Sequence, residues 1–470
     1  MSTVYRHKRG ARMVRFSALC ILIMGGLASR SHAQGVLIPG GGAIHRAMAG
    51  VSTATPVDAI GAVYWNPAAP SRLSSDQFGV GGEMMIPDID VSSSVPGGAS
   101  GVTRSDNGLG MISDLGLVYH LNDRLTASMG LLTNAGGGVT FPGDPSNPIL
   151  SPTGPFGNVV LGPIHSSMTI VQVVPNASMQ LTDKLVVGAG PTVSAAIVSF
   201  TPAYFGGLND ANGDGLFSFP DGSNTRPYWG GGFRAGAVYS LTQKIDLGFS
   251  YSSPTWFETW KFYSSNEVGQ PVTLTLNANC PAIYSWGIAY QPVDRLLLAT
   301  DLRYIDYKNT DLFGEKIVDS GLNWDSVFAA AFGSRYQLNQ RLALMAGYLY
   351  NENPVPTVGT VFNVQAPGVT KHSVSCGVSA DLTDSITVAM AYIHAFRNTV
   401  SGEPAEAIGA NVIVGAAVDS IAITINIKFG DKPERGGAPV IWESASPEPV
   451  TSTTLEAESS TTTQTVLPSG

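Results

Sequence analysis

The residues with the clearest spacing for chemistry are oxygen-bearing side chains between positions 210 and 221. Positions 1, 3, 5, 7, 9 and 12 of an EF-type calcium loop fall on Asp210, Asn212, Asp214, Leu216, Ser218 and Asp221, with Gly215 at position 6. Calcium needs several oxygen ligands on a tight turn, and this spacing supplies them. Asp replaces the usual Glu at position 12, and no flanking helices are expected. We predict a structural calcium ion in loop 200–227, with a plain acidic turn as the alternative.

The sequence shows no other motif that is typical of a catalytic, metal or phosphate-binding site. Beyond the N-terminal leader, the histidines have no metal-ligand spacing, and no Gly-x-Ser-x-Gly elbow or glycine-rich phosphate loop is evident. These histidines are His45, His120, His165, His372 and His394. We therefore expect no enzyme and no required cofactor.

The elements that would position such loops are revealed by a short pattern that recurs along the chain. An apolar or aromatic residue precedes a polar turn of two to four residues, and an alternating segment follows. The turns lie at 121–125, 181–185, 241–245, 291–296, 338–342 and 382–386. Residues of this kind make tight turns between antiparallel strands. Six turns predict six hairpins, with one further strand at each end.

Period-two alternation in the flanking segments supports strands rather than helices. In the last segment Ile421, Ile423 and Ile425 alternate with Ala422, Thr424 and Asn426, which places an apolar set on one face of a sheet. Strands of about ten residues with short turns at one end and long loops at the other are typical of an outer-membrane barrel. The sequence therefore predicts an all-β fold, a 14-stranded antiparallel transmembrane β-barrel.

The predicted strands and loops follow from this count. The strands are 77–93, 108–121, 124–134, 167–181, 184–199, 228–241, 244–264, 271–291, 294–309, 325–338, 341–351, 369–382, 385–398 and 412–429. The outward loops are 94–107, 135–166, 200–227, 265–270, 310–324, 352–368 and 399–411.

Composition and the N-terminus indicate an exported protein. Only 13% of residues are charged, whereas 44% are hydrophobic, and beyond the N-terminal leader no apolar run is long enough for a transmembrane helix. Basic residues precede the apolar stretch 16–27, and small residues follow at 31–33, so 1–33 is predicted to be a signal peptide. The remaining chain has 20 Lys and Arg against 35 Asp and Glu, which disfavours a nucleic-acid partner.

Residues 34–76 precede the first strand, are rich in Gly and Ala and show little alternation, so we predict that they form an N-terminal hatch, or plug, inside the lumen. They contain the sequence Asn66, Pro67 and Ala68. Here the sequence resembles the FadL/TodX (OMPP1) family of outer-membrane transporters for long-chain fatty acids and aromatic hydrocarbons, whose hatch carries an Asn-Pro-Ala motif. The segment 346–356 is similar to that family's Gly-Tyr-x-Tyr and Pro-x-Pro strand exit.

The resemblance implies a path for an apolar ligand: capture among outward loops, rearrangement of the hatch, and lateral exit through the wall beside a kinked third strand. In this sequence that strand runs into Gly136, Gly137 and Gly138, and glycine marks bends in strands. An ordinary flexible loop entry is the alternative. For capture, the candidates in loop 200–227 are Phe205, Phe217 and Phe219.

The function expected from the sequence is passive uptake of hydrophobic molecules across the outer membrane of a Gram-negative-type bacterium. We expect a monomer in contact with outer-membrane lipid, in which the barrel spans 77–429 and the Ser/Thr/Pro/Glu-rich residues 430–470 form a disordered periplasmic tail. A general or polar-solute porin and a structural or adhesive barrel remain alternatives. The substrate, fatty acid or aromatic hydrocarbon, is left open.

Overall fold

In the computed structural model of this chain, the described residues are 35–430, apart from 96–97, 155–157, 224–225, 317–320 and 403–410. The predicted signal peptide and the predicted tail beyond residue 430 lie outside them. The strands are β1 (Asp76–Ser94), β2 (Ser100–Arg104), β3 (Gly110–His120), β4 (Leu125–Phe141), β5 (Ile164–Gln180), β6 (Leu185–Thr201), β7 (Tyr228–Thr242), β8 (Ile245–Ser252), β9 (Thr255–Phe257), β10 (Trp260–Ser265), β11 (Pro271–Leu276), β12 (Asn279–Cys280), β13 (Ala282–Val293), β14 (Leu296–Asp306), β15 (Val327–Gln337), β16 (Leu342–Asn351), β17 (His372–Asp381), β18 (Ile386–Gly402) and β19 (Asn411–Phe429). The α-helices are Ala43–Ala47, Ala59–Tyr64 and Thr360–Asn363, and the 3-10 helices are Ala69–Arg72, Pro148–Leu150 and Tyr307–Asn309.

The strands form one closed antiparallel barrel. Each wall strand pairs with its neighbour, and β1 closes the ring against β19, from Asp76 opposite Phe429 to Ser94 opposite Asn411. β8 and β9 together occupy one position in the wall, and β12 and β13 together occupy the next. The long strands β8 and β13 pair with each other, and beyond them the short strands β9 and β12 pair in the same way, with β9 also paired to β7. The wall therefore has fourteen strand positions, and the predicted fold class is confirmed.

All six predicted turns are present at one end of the barrel, which we call the short-turn end. A side-chain oxygen at the start of a turn accepts backbone N–H donations: Asn122 Oδ1 accepts from Arg124 and Leu125, both at 2.9 Å. Thr182, Thr242, Asn339 and Thr383 act in the same way in their own turns. These bonds satisfy turn amides that have no ladder partner, which is why Asn and Thr recur there. The opposite end is the long-loop end.

Alternation along β19 shows how the wall separates lipid-facing from inward positions. Ile421, Ile423 and Ile425 are 38%, 49% and 42% exposed on the outer surface, whereas Ala422 and Thr424 are 2% and 1% exposed. The predicted alternation is therefore confirmed. Among the helices of the described residues, none is long and apolar enough to cross a membrane.

The structure differs from the predicted strands at the long-loop end. The seventh and eighth predicted strands, 244–264 and 271–291, were expected to lie wholly in the wall, but β10 and β11 form a separate two-stranded hairpin beyond it. Pro254 and Pro281 lie where the wall strands break, because proline cannot donate to the ladder. β4 continues to Phe141 instead of ending at 134, and β2 lies in the predicted loop 94–107.

Residues 35–74 lie inside the barrel and are almost entirely buried. Helix Ala43–Ala47 contacts β16 to β19 and β1, and helix Ala59–Tyr64 contacts β1, β3 and β4. Asp58 begins the second helix by accepting the Gly61 N–H at 2.8 Å, which is a favourable N-cap. We call residues 35–74 the hatch. It supplies much of the hydrophobic core that the barrel encloses.

Candidate functional site

Buried polar contacts fasten the hatch to the wall. Asp301 on β14 accepts the backbone N–H groups of Ser52 at 2.9 Å and Thr53 at 3.1 Å, and also the Thr53 hydroxyl at 2.8 Å. Arg303 donates to Asp301 at 2.8 Å and to the Gly50 carbonyl at 2.6 Å. Its guanidinium lies 4.3 Å from the centre of the Trp65 ring, within cation–π range. This wall region therefore holds the hatch by charge, hydrogen bonds and ring contact.

Two more arginines act in the same way at other positions around the barrel. Arg234 on β7 donates to the carbonyls of Val63 at 3.0 Å and Tyr64 at 2.6 Å, which are among the last carbonyls of their helix and would otherwise be orphaned. Arg72, at the end of the hatch, donates to Asp246 at 3.0 Å on β8 and to Ser240 at 2.9 Å on β7. Contacts of this kind on several sides of the ring position the hatch as one body.

The Asn-Pro-Ala motif is one of these fastening points. Asn66 is fully buried, donates to the carbonyls of Thr53 at 2.7 Å and Ala237 at 3.1 Å, and accepts the Ala68 N–H at 3.0 Å. A Cβ atom at Gly236 would collide with the Asn66 side chain, and one at Gly188 would collide with the Pro67 backbone. The motif thus lies against two wall glycines that allow the close approach.

The apolar inward positions of the wall pack on the hatch. Leu297, Ala389, Ala391 and Ile393 share a buried cluster with residues 43–54. Val118 clusters with helix Ala59–Tyr64, and Val186 with Ala68. Packing against the plug therefore accounts for these residues, and only Ile393 also faces the open space described next.

The wall has a gap between β3 and β4. The ladder between these strands runs from His120 opposite Thr126 to Leu115 opposite Leu131 and stops there. Beyond it, β4 has an irregular register between Thr133 and Ala135, and its outer part pairs with β5 alone among the wall strands. Near the long-loop end the segment that precedes β3 contacts β4, because the backbone N–H of Asp106 donates to the Thr140 carbonyl at 2.7 Å and the Asn107 side chain donates to the Gly138 carbonyl at 2.9 Å.

The start of the hatch lies beside the gap. Leu37 forms a bridge with Ala135, with Ile38 N–H donating to Asn134 and Gly136 N–H donating to Val36, both at 3.0 Å. Residues 36–38 therefore satisfy backbone groups of β4 that the interrupted ladder with β3 leaves without a partner. This contact consists of two backbone hydrogen bonds and has no ion pair.

A cavity of about 500 Å³ occupies the long-loop half of the barrel, which is within the usual range for small-molecule sites. It is several times larger than the roughly 150 Å³ that is enough to hold one benzene molecule. The cavity extends to both edges of the gap, because its walls include Leu109, Met111 and Ile112 from the β3 side and Gly136, Gly137 and Gly138 from β4. Other apolar lining residues include Val36, Leu37 and Ile38 of the hatch start, Met85 and Ile89 of β1, Met168 of β5, Phe200 of β6, Ile393 of β18, and Tyr204, Phe205, Leu312, Phe313, Leu322 and Phe362 in the loops.

The three glycines predicted at the kink lie on β4 directly after its irregular register. A Cβ atom at Gly137 would meet no atom within 4 Å, whereas one at Gly138 would collide with the Ser166 carbonyl. Gly137 thus borders open space and Gly138 permits close packing with β5. The structure places all three at the cavity wall, and their role in opening stays a prediction.

Of the three predicted capture residues, the structure brings only Phe205 to the cavity. It packs on Phe262 with ring centres 5.2 Å apart. Phe219 packs instead on Tyr204 at 5.3 Å, and Phe217 is 41% exposed with its backbone bonded to Asn158 and Val160. Capture by Phe205 stays a prediction.

The predicted calcium loop is held by a residue that the sequence pattern did not include. Glu267, in the turn of the β10–β11 hairpin, accepts the Ala211 N–H at 3.1 Å and the Ser218 hydroxyl at 2.5 Å. Asp221 accepts from Thr201, and burial raises the pKa of its carboxyl. Within the described ranges, no three His, Cys, Asp or Glu side chains are grouped for a metal ion. Calcium binding in loop 200–227 stays a prediction.

The aromatic residues of β7 to β10 divide into two groups. Trp229, Trp256 and Tyr263 are more than half exposed, as an interfacial girdle would be. Tyr228, Trp260 and Phe262 are buried: Tyr228 packs on Trp260 and Phe262, and Phe262 packs also on Phe200 and Phe205. A girdle alone does not account for the second group, which supports the cavity wall.

Sequence patterns missed most of the lining. Leu312, Phe313, Phe362 and Gln365 lie in two long loops that fold over the cavity, where no periodicity could identify them. Gln365 is fixed there because its side chain donates to the Pro202 carbonyl at 2.7 Å, and its own carbonyl accepts from Ser166 at 2.5 Å. The presence of apolar residues in long loops was the one sequence feature that could have identified these lining residues.

Comparisons with known proteins agree with this geometry. The family model described as outer membrane protein transport protein (OMPP1/FadL/TodX) matches residues 28–429. The chain belongs to this family. The OMPP1/FadL/TodX family is one of transport proteins of the outer membrane, so the chain is an outer-membrane barrel. No curated protein matches the sequence.

Solved structures of OMPP1/FadL/TodX-type proteins have the same fold at low identity. The Pseudomonas putida toluene transporter TodX is 19% identical, with a TM-score of 0.62, and the match covers 84% of this chain and 99% of TodX. A Pseudomonas aeruginosa FadL homologue is 16% identical, with a TM-score of 0.64 over 84% of this chain and 100% of the homologue. The Ralstonia pickettii toluene transporter TbuX is 19% identical, with a TM-score of 0.61 over 83% and 99%.

Proposed function

We propose that this protein takes up hydrophobic molecules passively and releases them sideways through the gap between β3 and β4. The observation that carries the proposal is the cavity, which extends from beneath the long loops to both edges of the gap. A molecule that is poorly soluble in water gains nothing from a water-filled pore, whereas an apolar path into lipid suits it. TodX and TbuX, which share the fold, are named as toluene transporters.

In this proposal the route along the barrel axis is closed. The hatch fills the short-turn half and is fastened to it by Asp301, Arg303, Arg234 and Asn66. A ligand in the cavity therefore has the gap as its exit. The long-loop end faces outside, the short turns and the tail face the periplasm, and the protein works as a monomer surrounded by lipid.

The rearrangement of the hatch that we propose is confined to its start. Residues 36–38 contact β4 through two backbone hydrogen bonds, and such bonds contribute only about 1 kcal/mol each in net terms. Moving the rest of the hatch would expose buried charges such as Arg303, at a cost of several kcal/mol per ion. Displacement of 36–38 breaks these two bonds and the bond from the Tyr64 hydroxyl to the Ile38 carbonyl, but it exposes no charged group.

The experiment that tests the exit is substitution of Gly137 by a bulky apolar residue. In Gly137→Leu the added Cβ atom meets no other atom within 4 Å, and we expect the rest of the leucine side chain to narrow the gap. We expect the initial rate of uptake of radiolabelled hexadecane into cells that express the variant to fall at least fivefold. Gly231→Leu is the matched control: it is a strand glycine of β7 on the outer surface, with no contact closer than 3.4 Å.

Folded barrel content is measured for both variants by heat-modifiable migration in gels. Wild-type uptake rates in a folded Gly137→Leu barrel would overturn lateral exit. A porin instead predicts large ion conductance of the reconstituted protein, and a structural or adhesive barrel predicts no uptake by the wild type.

A further inference from the structure

The ladder between β3 and β4 stops just before one particular pair of residues. In an antiparallel ladder every second residue pair exchanges two backbone hydrogen bonds. The Leu121 N–H donates to the Leu125 carbonyl at 2.9 Å, which fixes the pairs of these two strands that exchange bonds. Counted from there along the register, Ser113 and Thr133 would form the first such pair beyond the end of the ladder.

Side chains take the place of this missing pair. The Thr133 hydroxyl donates to the Ser113 carbonyl at 3.1 Å and accepts the Ser113 N–H at 3.4 Å. The backbone N–H of Thr133 donates to Asp114 Oδ1 at 3.0 Å, and its carbonyl accepts from the Tyr64 hydroxyl at 3.4 Å. Three side chains therefore satisfy all four backbone groups that a regular pair would join. We call Tyr64, Asp114 and Thr133 the side-chain rung.

The side-chain rung lies where backbone groups have few other partners. Tyr64, Asp114 and Thr133 are 4%, 4% and 6% exposed. A backbone group of a membrane barrel that lacks a partner costs several kcal/mol, because lipid cannot supply one. The side-chain rung removes this cost while the two strands stay unpaired. Without it, the backbone groups of Ser113 and residue 133 gain most by bonding to each other, which extends the ladder by one pair and narrows the gap.

The side-chain rung is also linked to the start of the hatch. The irregular register of β4 follows Thr133 directly, and the next residue, Asn134, accepts the Ile38 N–H. The Tyr64 hydroxyl donates to the Ile38 carbonyl at 3.0 Å as well as to Thr133. A hydroxyl has one proton to donate, so Tyr64 keeps an acceptor in Thr133 when residues 36–38 move away. The side-chain rung thus stays bonded during the proposed rearrangement.

We propose that the side-chain rung keeps β3 and β4 unpaired beyond the end of their ladder and so sets the width of the lateral exit. Tyr64, Asp114 and Thr133 are positioning residues, because they act by holding two strands apart. The inference rests on the proposed function and specifies what limits the size of a molecule that leaves through the gap.

The test compares the uptake of a thin probe and a wide probe by the same cells. Initial uptake of radiolabelled hexadecane and pyrene is measured in cells that express the full-length protein, and uptake by cells without it is subtracted. Pyrene is a flat ring system wider than an alkyl chain. The ratio of pyrene to hexadecane uptake does not depend on the number of folded barrels, because both probes pass through the same barrels.

Two substitutions at Thr133 separate its hydroxyl from its size. Thr133→Val keeps the shape and removes the hydroxyl, so we expect the ratio of pyrene to hexadecane uptake to fall about tenfold, since small differences in size have effects of this order in a closely fitting site. Thr133→Ser keeps the hydroxyl and should retain the wild-type ratio. Thr300→Val, at a half-buried threonine of β14, is the matched control and should also retain it.

A second pair of variants tests the side-chain rung through Asp114. Asp114→Ala removes the acceptor of the Thr133 N–H and should lower the ratio in the same direction. Asp114→Asn keeps an acceptor oxygen and should retain the wild-type ratio. This pair decides the question if Thr133→Val does not fold, as judged by heat-modifiable migration in gels.

The outcomes separate this inference from the proposed function. Folded Thr133→Val and Asp114→Ala barrels with the wild-type ratio would overturn the role of the side-chain rung and leave hydrophobic uptake standing. An equal fall of the ratio in Thr133→Ser would have the same meaning, as would wild-type uptake of hexadecane without pyrene, because the exit would then be narrow already. Uptake of neither probe by the wild type would overturn the proposed function together with this inference.

Discussion

The short-turn half and the long-loop half of this barrel use their inward polar residues in opposite ways. In the short-turn half, charged side chains of the wall bond directly to the hatch, as Asp301 does to Ser52 and Thr53. In the long-loop half, polar lining residues such as Thr133 and Gln365 bond to backbone and leave the cavity apolar. The short-turn half therefore holds the hatch in place, and the long-loop half encloses the cavity.

This difference indicates which part of the hatch can move at a small cost in free energy. Removing one member of a buried ion pair leaves an uncompensated charge, so the fastened part of the hatch is expensive to move. The start of the hatch, 36–38, crosses into the long-loop half and has only backbone contacts to β4 there. The boundary between the two halves is therefore the natural limit of any rearrangement.

The largest expected effect comes from breaking the fastening itself. Asp301→Ala removes four hydrogen bonds and leaves Arg303 buried without its counter-ion, so we expect the free energy of unfolding to fall by about 3–5 kcal/mol. Urea unfolding of the barrel in detergent measures this. Asp294→Ala, an exposed position in the turn before β14, should change it by less than about 0.5 kcal/mol. Equal effects of the two variants would contradict the fastening role.

A smaller effect is expected in the long-loop half, where it should appear in ligand retention rather than in stability. Phe205→Ala removes an aromatic contact from the cavity wall, and one such contact is worth roughly 1 kcal/mol, or about fivefold in retained hexadecane. Phe217 lies in the same loop and does not line the cavity. Phe217→Ala should therefore retain hexadecane like the wild type, and a loss as large as that of Phe205→Ala would place capture elsewhere.

The smallest effect concerns pH at the base of the β10–β11 hairpin, beyond the wall. The Arg226 guanidinium, 2.7 Å from Glu258, holds the pKa of that carboxyl at about 2, below its ordinary 4.5. A depressed pKa in the folded protein stabilises it fully above the ordinary value and progressively less as the pH falls towards 2. The free energy of unfolding, followed by tryptophan fluorescence in urea, should thus stay constant from pH 7 to about 4.5 and fall below it.

Glu258→Gln is the control for the pH experiment because it removes the titrating group and keeps the shape. The variant should lack the acid transition. An identical transition in the variant would assign it to another carboxyl.

The sequence by itself determined the barrel. Period-two alternation and six polar turns are local signals, since each strand must present alternate faces and each turn must satisfy its own amides, as Asn122 and Thr182 do. The Asn-Pro-Ala motif was likewise visible as sequence. Its physical role was not, because Asn66 bonds to Ala237 and lies against Gly236, which are about 170 positions away.

Only the tertiary structure decided the cavity and its chemistry. The ladder between β3 and β4 ends where Leu115 and Leu131 meet, and residues 36–38 fill the vacant edge, which depends on how distant segments meet in space. The Arg46–Glu83 pair joins hatch and wall through residues 37 positions apart in the sequence. Local periodicity specifies which way a side chain points, whereas its partner is set by closure of the barrel around the hatch.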